Sequence, residues 1–218
     1  MISRSLFWIL QNQKAGMKLF FKCLILFFVL QTAIAQNGEE EKSNPDVGIR
    51  IFVGGSKAFA IDDKFIGDAY NLKFGAEVGG YYLFTDHWFA GAQVDVLWTD
   101  VTNSEKLGGI NRTRIISSSV NGGYLTDLTG SLEFSAKLGF GHARYANRAT
   151  ENGRAFHDDA FITYLEPKLA YQIDDGLAIY LGLNFRYDKM SIETSETYQD
   201  YFGSSTRLVP TIGAQFNF

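Results

Sequence analysis

The chain has 218 residues, of which 46% are hydrophobic and 15% aromatic, with 22 glycines, three prolines and one cysteine. That length suits one domain, and few prolines beside many rings and glycines point to sheet rather than to a disordered or helical protein. With 24 acidic against 20 basic residues the net charge is −4, which excludes the basic footprint of a nucleic-acid binder.

Residues 17–35, MKLFFKCLILFFVLQTAIA, place Lys18 and Lys22 ahead of an apolar run at 23–30 and end on Ala33-Ile34-Ala35. This is the layout of a secretory signal, and it predicts cleavage before Gln36, with Met17 as the expected true start. The run is too short for a spanning helix, which needs about 20 residues. Removing residues 1–35 takes away Arg4, Lys14, Lys18, Lys22 and no acid, leaving 16 basic against 24 acidic residues, or −8. It also takes away Cys23, so disulfide, thiolate and cysteine-metal chemistry are excluded from the exported part. Gln36 in place of a cysteine argues against a lipid anchor. Residues 36–45, QNGEEEKSNP, read as a flexible acidic leader.

From residue 46 to the end, period-two alternation recurs eight times. The first segment sets Val47, Ile49, Ile51 and Val53 against Arg50 and Phe52. The second sets Phe74, Ala76, Val78, Tyr82 and Phe84 against Lys73, Glu77 and Tyr81, and the third sets Trp88, Val94, Val96 and Trp98 against Phe89, Gln93 and Asp95. The fourth, Ile116 to Tyr124 against Ser117, Ser119 and Asn121, is the faintest. The fifth opposes Leu132, Phe134, Leu138 and Phe140 to Glu133 and Lys137. The sixth opposes Phe161, Leu165, Leu169 and Tyr171 to Tyr164, Glu166 and Lys168. The seventh opposes Ile179, Leu181, Leu183, Phe185 and Tyr187 to Tyr180 and Arg186, and the last opposes Ile212, Phe216 and Phe218 to Arg207 and Thr211.

Short connections at 85–87, 126–130 and 174–176, with aspartate and glycine where tight hairpins want them, alternate with long ones at 57–70, 101–111, 146–158 and 189–204. Short turns on one side and long loops on the other are the pattern of an outer-membrane barrel. The expectation is therefore an all-β, eight-stranded antiparallel transmembrane up-and-down barrel over 46–218. Its apolar face meets lipid and its glycine-rich, two-signed face fills the lumen.

Two features support that inversion. The inward charges Arg50, Lys73, Glu77, Asp95, Glu133, Lys137, Glu166, Lys168, Arg186 and Arg207 suit a narrow interior where opposite signs meet. The outward rings Phe84, Trp88, Tyr124 and Tyr171 beside the short turns, and Trp98, Phe161 and Tyr187 beside the long loops, form two girdles around an aliphatic band.

In this pattern the chain resembles the small Gram-negative outer-membrane barrels of the OmpA-transmembrane-domain and OmpX type, and most closely the porin-like β-barrel families of Bacteroidota. The last strand carries the most specific likeness. Thr211, Gly213, Phe216 and Phe218 match the C-terminal signal by which such barrels are handed to the barrel-assembly machinery, and the resemblance implies that partnership and an outer-membrane location among lipids and lipopolysaccharide.

The function expected is structural or surface-interacting, through four long extracellular loops. An eight-stranded lumen is just wide enough to be filled by side chains, so a narrow channel for small solutes is the alternative. A lipid A-modifying enzyme is a distant third. His142 and His157 stand near the outer rim, but no serine stands in a recognisable spacing to either and no base is seen to face a nucleophile. His87 reads as a turn residue. Acids and rings gather in the first loop (Asp62, Asp63, Asp68, Phe59, Phe65, Tyr70) and in the fourth (Glu193, Glu196, Asp200, Tyr198, Tyr201, Phe202). They read as solvated acids with rings packed between loops; a divalent cation or an unidentified loop ligand is the sharper option. No enzyme activity, cofactor, metal site or nucleic-acid partner is expected.

Overall fold

Alternating side chains commit each segment to a strand with two unlike faces, and the computed structural model shows how those faces are used. It describes residues 48–104, 106–107, 109–149, 155–192 and 195–218. The signal at 1–35, the start at Met17, the leader at 36–45, Val47 and Glu193 lie outside the described residues.

Eight long strands follow one another: β1 (Ile49–Lys57), β3 (Tyr70–Leu83), β4 (Trp88–Val101), β5 (Ile110–Thr129), β6 (Leu132–Ala149), β7 (Ala155–Asp174), β8 (Leu177–Met190) and β9 (Ser204–Asn217). A two-residue strand β2 (Phe59–Ala60) pairs only with β9, at Leu208 and Arg207. Each long strand is antiparallel to the next, and β1 pairs with β9 from Arg50↔Asn217 to Ser56↔Thr211, so the sheet closes on itself. Closure leaves no long edge whose N–H and C=O groups go unpaired.

The exterior is apolar and bare: Leu138 is 65% exposed and Ile212 59%, with Phe140, Val120 and Leu181 beside them. The interior holds Glu166, Lys137, Arg207 and Gln215 with almost no exposure. A soluble barrel has the reverse arrangement. An apolar belt on this scale needs hydrocarbon against it rather than water.

Three strands run far beyond the lipid-crossing length. β5, β6 and β7 have 20, 18 and 20 residues, whereas a tilted strand crosses hydrocarbon in about 9–11. The alternation does not stop where the apolar signal stops. Thr113, Ile115, Ala143, Tyr145 and Asn147 remain buried inside while Arg112, Arg114, Arg144 and Arg148 take the outward positions. The backbone ladder thus continues beyond the lipid belt. It also absorbs most of the connection placed at 146–158 and trims the ends of the one placed at 101–111, and β5 runs to Thr129, shortening the turn placed at 126–130.

Candidate functional site

The lumen is layered. At the short-turn end, Phe52, Tyr81, Leu83, Phe89, Leu125 and Tyr180 form a buried apolar cluster. Lumen glycines receive inward rings rather than lining an opening. A Cβ on Gly139 would lie 2.2 Å from the Tyr164 ring, and one on Gly54 would lie 2.3 Å from the Tyr180 hydroxyl.

Above that cluster sits the charged layer. Lys137 Nζ lies 2.9 Å from Glu166 Oε1 and donates to Gln93 Oε1 at 2.7 Å. Asn184 Nδ2 donates to the second Glu166 oxygen at 2.9 Å, and Tyr180 donates to Glu77 at 2.7 Å. Lys168 donates to Gln215 at 2.7 Å, its ammonium 4.9 Å from the Tyr81 ring centroid. Arg186 Nη1 reaches Asp95 at 2.9 Å and its Nε approaches Asp188 at 3.3 Å. Arg207 pairs with the other oxygen of Asp188, to which Tyr145 also donates. Arg50 pairs with Glu133 nearer the short turns.

Two residues change the charge set read from the sequence. Lys73 is not in the lumen: the register shifts between Leu72 and Gly75, where a β-bulge carries Lys73 outside to pair with Asp100. Asp188, which sequence reasoning left out because β8 was ended at Tyr187, is fully buried between Arg186 and Arg207. One more step of the same parity from Arg186 would have found it. Six cations against four anions thereby become five against five, and the balance is physically required where unpaired charge is so costly.

The enclosed space beside Asn184, Arg186 and Arg207 measures about 20 Å³, room for one water rather than a solute.

The mouth above is closed by loop structure. The first long loop folds into helix α1 (Phe65–Ala69), whose Phe65, Ile66 and Ala69 are buried with Leu72, Leu97, Ile115, Tyr145 and Ile162. Phe65 lies 6.1 Å from Tyr70 and 5.8 Å from Phe202 of helix α2 (Glu196–Phe202) in the fourth loop. Polar contacts lace the loops together. Asp68 pairs with Lys106 of the second loop and accepts from Tyr201 at 2.8 Å, while Asp62 accepts from the Thr206 amide at 2.6 Å. The hydrogen bonds from Lys106 and Tyr201 hold the Asp68 carboxyl below its ordinary value. Desolvation and the same carboxylate push the Tyr201 phenol up to about 12. The ring packing is thus a bridge between loops. The helical plug left no trace in the alternation pattern, because five residues are too few to show a helical period.

On the exterior, Phe84, Trp88, Phe161, Tyr171 and Tyr187 are exposed, while Trp98 and Tyr124 are half-buried against Phe74 and Trp88 at 4.8 and 5.2 Å. Of the assembly-signal positions, Thr211 is buried inside and Phe216 and Phe218 are exposed outside. His142 is also outside, its Nε2 3.2 Å from Asp159. The register sets Ser118 directly opposite His142, a neighbour that sequence spacing could not reveal. Among the described residues, no hydrogen bond joins Ser118 to the imidazole. His157 is exposed on β7, and His87 Nδ1 stands 3.1 Å from the Leu125 carbonyl in its turn. Among the described residues no group of three or more acidic, histidine or cysteine side chains is placed to hold a metal.

This architecture has solved counterparts. The structure superposes on Neisserial surface protein A with a TM-score of 0.55 at 10% identity, over 81% of this chain and 100% of that one. It superposes on the outer-membrane protein OprG from Pseudomonas aeruginosa with a TM-score of 0.54 at 14% identity, over 82% and 99%. The fold is that of a small outer-membrane β-barrel. No protein-family model matches the chain, and no curated relative matches it by sequence.

Proposed function

We propose that this chain is an outer-membrane barrel whose work is done at its laced outer loops, and that it is neither a diffusion pore nor an enzyme. A greasy exterior, the two ring girdles and the C-terminal signal residues support insertion into the outer membrane by the barrel-assembly machinery. The export signal and the resemblance to porin-like barrels of Bacteroidota point the same way. The observation that carries the choice between surface role and transport is the filled lumen. Lys137, Glu166, Arg186, Asp188 and Arg207 are all buried across the middle, and helix α1 sits in the mouth above them. A side chain in a buried, hydrogen-bonded ion pair does not step aside without leaving its partner's charge uncompensated.

The narrow-channel alternative requires that network to open. Refolded protein in a planar bilayer is expected to give no steady conductance above the background of the lipid alone. Stable ohmic steps from a homogeneous preparation would replace the surface reading with the transport one.

A further inference from the structure

The outer surface changes character at one height on β4, β5 and β6. Going up β5, the outward positions Val120, Ser118 and Ile116 give way to Arg114 and Arg112, while Ile115 and Thr113 between them stay buried inside. In register, Trp98 of β4 stands opposite Arg114, and Arg148 of β6 stands opposite Arg112. Three exposed arginines therefore converge on one face, above an apolar floor. The floor is Phe74 and Trp98, 4.8 Å apart at 32°, with Ile116 exposed beside them. Together these residues line a depression of about 550 Å³ on the outer wall.

The neighbouring charges are already engaged, since Lys73 pairs with Asp100 and Arg144 Nε lies 3.4 Å from Asp159. Among the described residues, Arg112, Arg114 and Arg148 pair with no carboxylate. Asp100 stands opposite Arg112 and lines the same depression, but its carboxylate is taken by Lys73, so in a chain that is strongly acidic once residues 1–35 are removed this is a local cationic site.

We propose that this depression binds a phosphorylated acyl lipid of the surrounding leaflet. The phosphate sits among Arg112, Arg114 and Arg148, and the acyl chains lie down over Phe74, Trp98 and Ile116. Guanidinium forks match phosphate oxygens in pairs, and a ring girdle marks the depth at which a headgroup ends and hydrocarbon begins. A free phosphate ion would make no use of the apolar floor, and a zwitterionic lipid would bring no net negative charge to the arginines. The inference rests on the membrane reading above and names a partner within it.

The test uses the refolded chain in nanodiscs of phosphatidylcholine doped with diphosphoryl or with monophosphoryl lipid A, with retained lipid counted by native mass spectrometry. Diphosphoryl lipid A should be retained in preference to phosphatidylcholine, and monophosphoryl lipid A less strongly. The combined variant Arg112→Gln, Arg114→Gln, Arg148→Gln should bind it about 100-fold more weakly, since each basic side chain at a charged surface contributes several-fold. Lys189→Gln, which removes an exposed charge on β8, should bind as the parent does, and circular dichroism should show all variants with the same strand content. Equal retention by parent and triple variant overturns the proposal, as does displacement of the lipid by inorganic phosphate at matched concentration. If the chain inserts normally but shows no preference, this inference alone falls; if it stays in solution and never enters the nanodisc, the membrane reading falls with it.

Discussion

Asp188 accepts from Tyr145 and Arg207 and stands beside Arg186, all with little or no exposure. Removing its charge strands the Arg207 guanidinium in a low-dielectric interior and leaves Arg186 with Asp95 alone. Asp188→Asn is therefore expected to lower the stability of the refolded barrel by about 3–5 kcal/mol, read from urea titration in lipid vesicles. A loss under about 1 kcal/mol would mean that water screens the pair. The glycines give a purely steric counterpart. Gly139→Ala forces a Cβ against the Tyr164 ring and should cost about 1–3 kcal/mol. Gly122→Ala, which meets nothing nearer than the Phe89 carbonyl at 3.5 Å, should leave stability nearly unchanged in the same titration. Equal effects at the two positions would show that backbone entropy rather than ring contact sets the cost.

The loops behave as one element because Asp68 joins three of them. Its carboxyl is held below the ordinary value of 3.8 by hydrogen bonds from Lys106 and Tyr201. A depressed carboxyl contributes stability that is fully present above the unfolded value and is lost as pH falls through the lowered folded one. Limited proteolysis of the refolded barrel is expected to cut the loops slowly from neutral pH down to about 4 and faster below it. Asp68→Asn should show the fast rate at neutral pH. A rate that is flat with pH would place the restraint in the Phe65, Tyr70 and Phe202 packing alone, which does not titrate.

For the molecule as a whole, the decisive energy is that of the bare apolar belt. Leu138 lies midway along the outward face of β6, between Phe134 and His142, and is 65% exposed. Leu138→Arg should destabilise the barrel by about 2–4 kcal/mol in vesicles, as a charge at bilayer depth does. On a water-washed surface the same change would be within about 0.5 kcal/mol. Folding yield and urea midpoint in vesicles give the reading, and a neutral result would remove hydrocarbon from the account.

Much of this barrel is written locally. Period-two alternation put Glu77, Asp95, Lys137, Glu166 and Arg186 on one face and Leu138, Phe140 and Ile212 on the other. Alternating connection lengths set eight antiparallel strands, because parity and turn chemistry depend only on near neighbours in the chain. The tertiary structure decided what depends on register. The bulge at Leu72–Gly75 turned Lys73 outward, while the extended β8 brought Asp188 between Arg186 and Arg207. The closed sheet set Ser118 opposite His142, and α1 was drawn into the mouth. Arg148 falls within the connection placed at 146–158, and Arg112 and Arg114 lie between the one ending at 111 and the segment opening at Ile116; β5 and β6 continue past the belt and align all three. These outcomes come from pairing between residues far apart in sequence, fixed by how the sheet twists and closes, and no local pattern encodes that geometry.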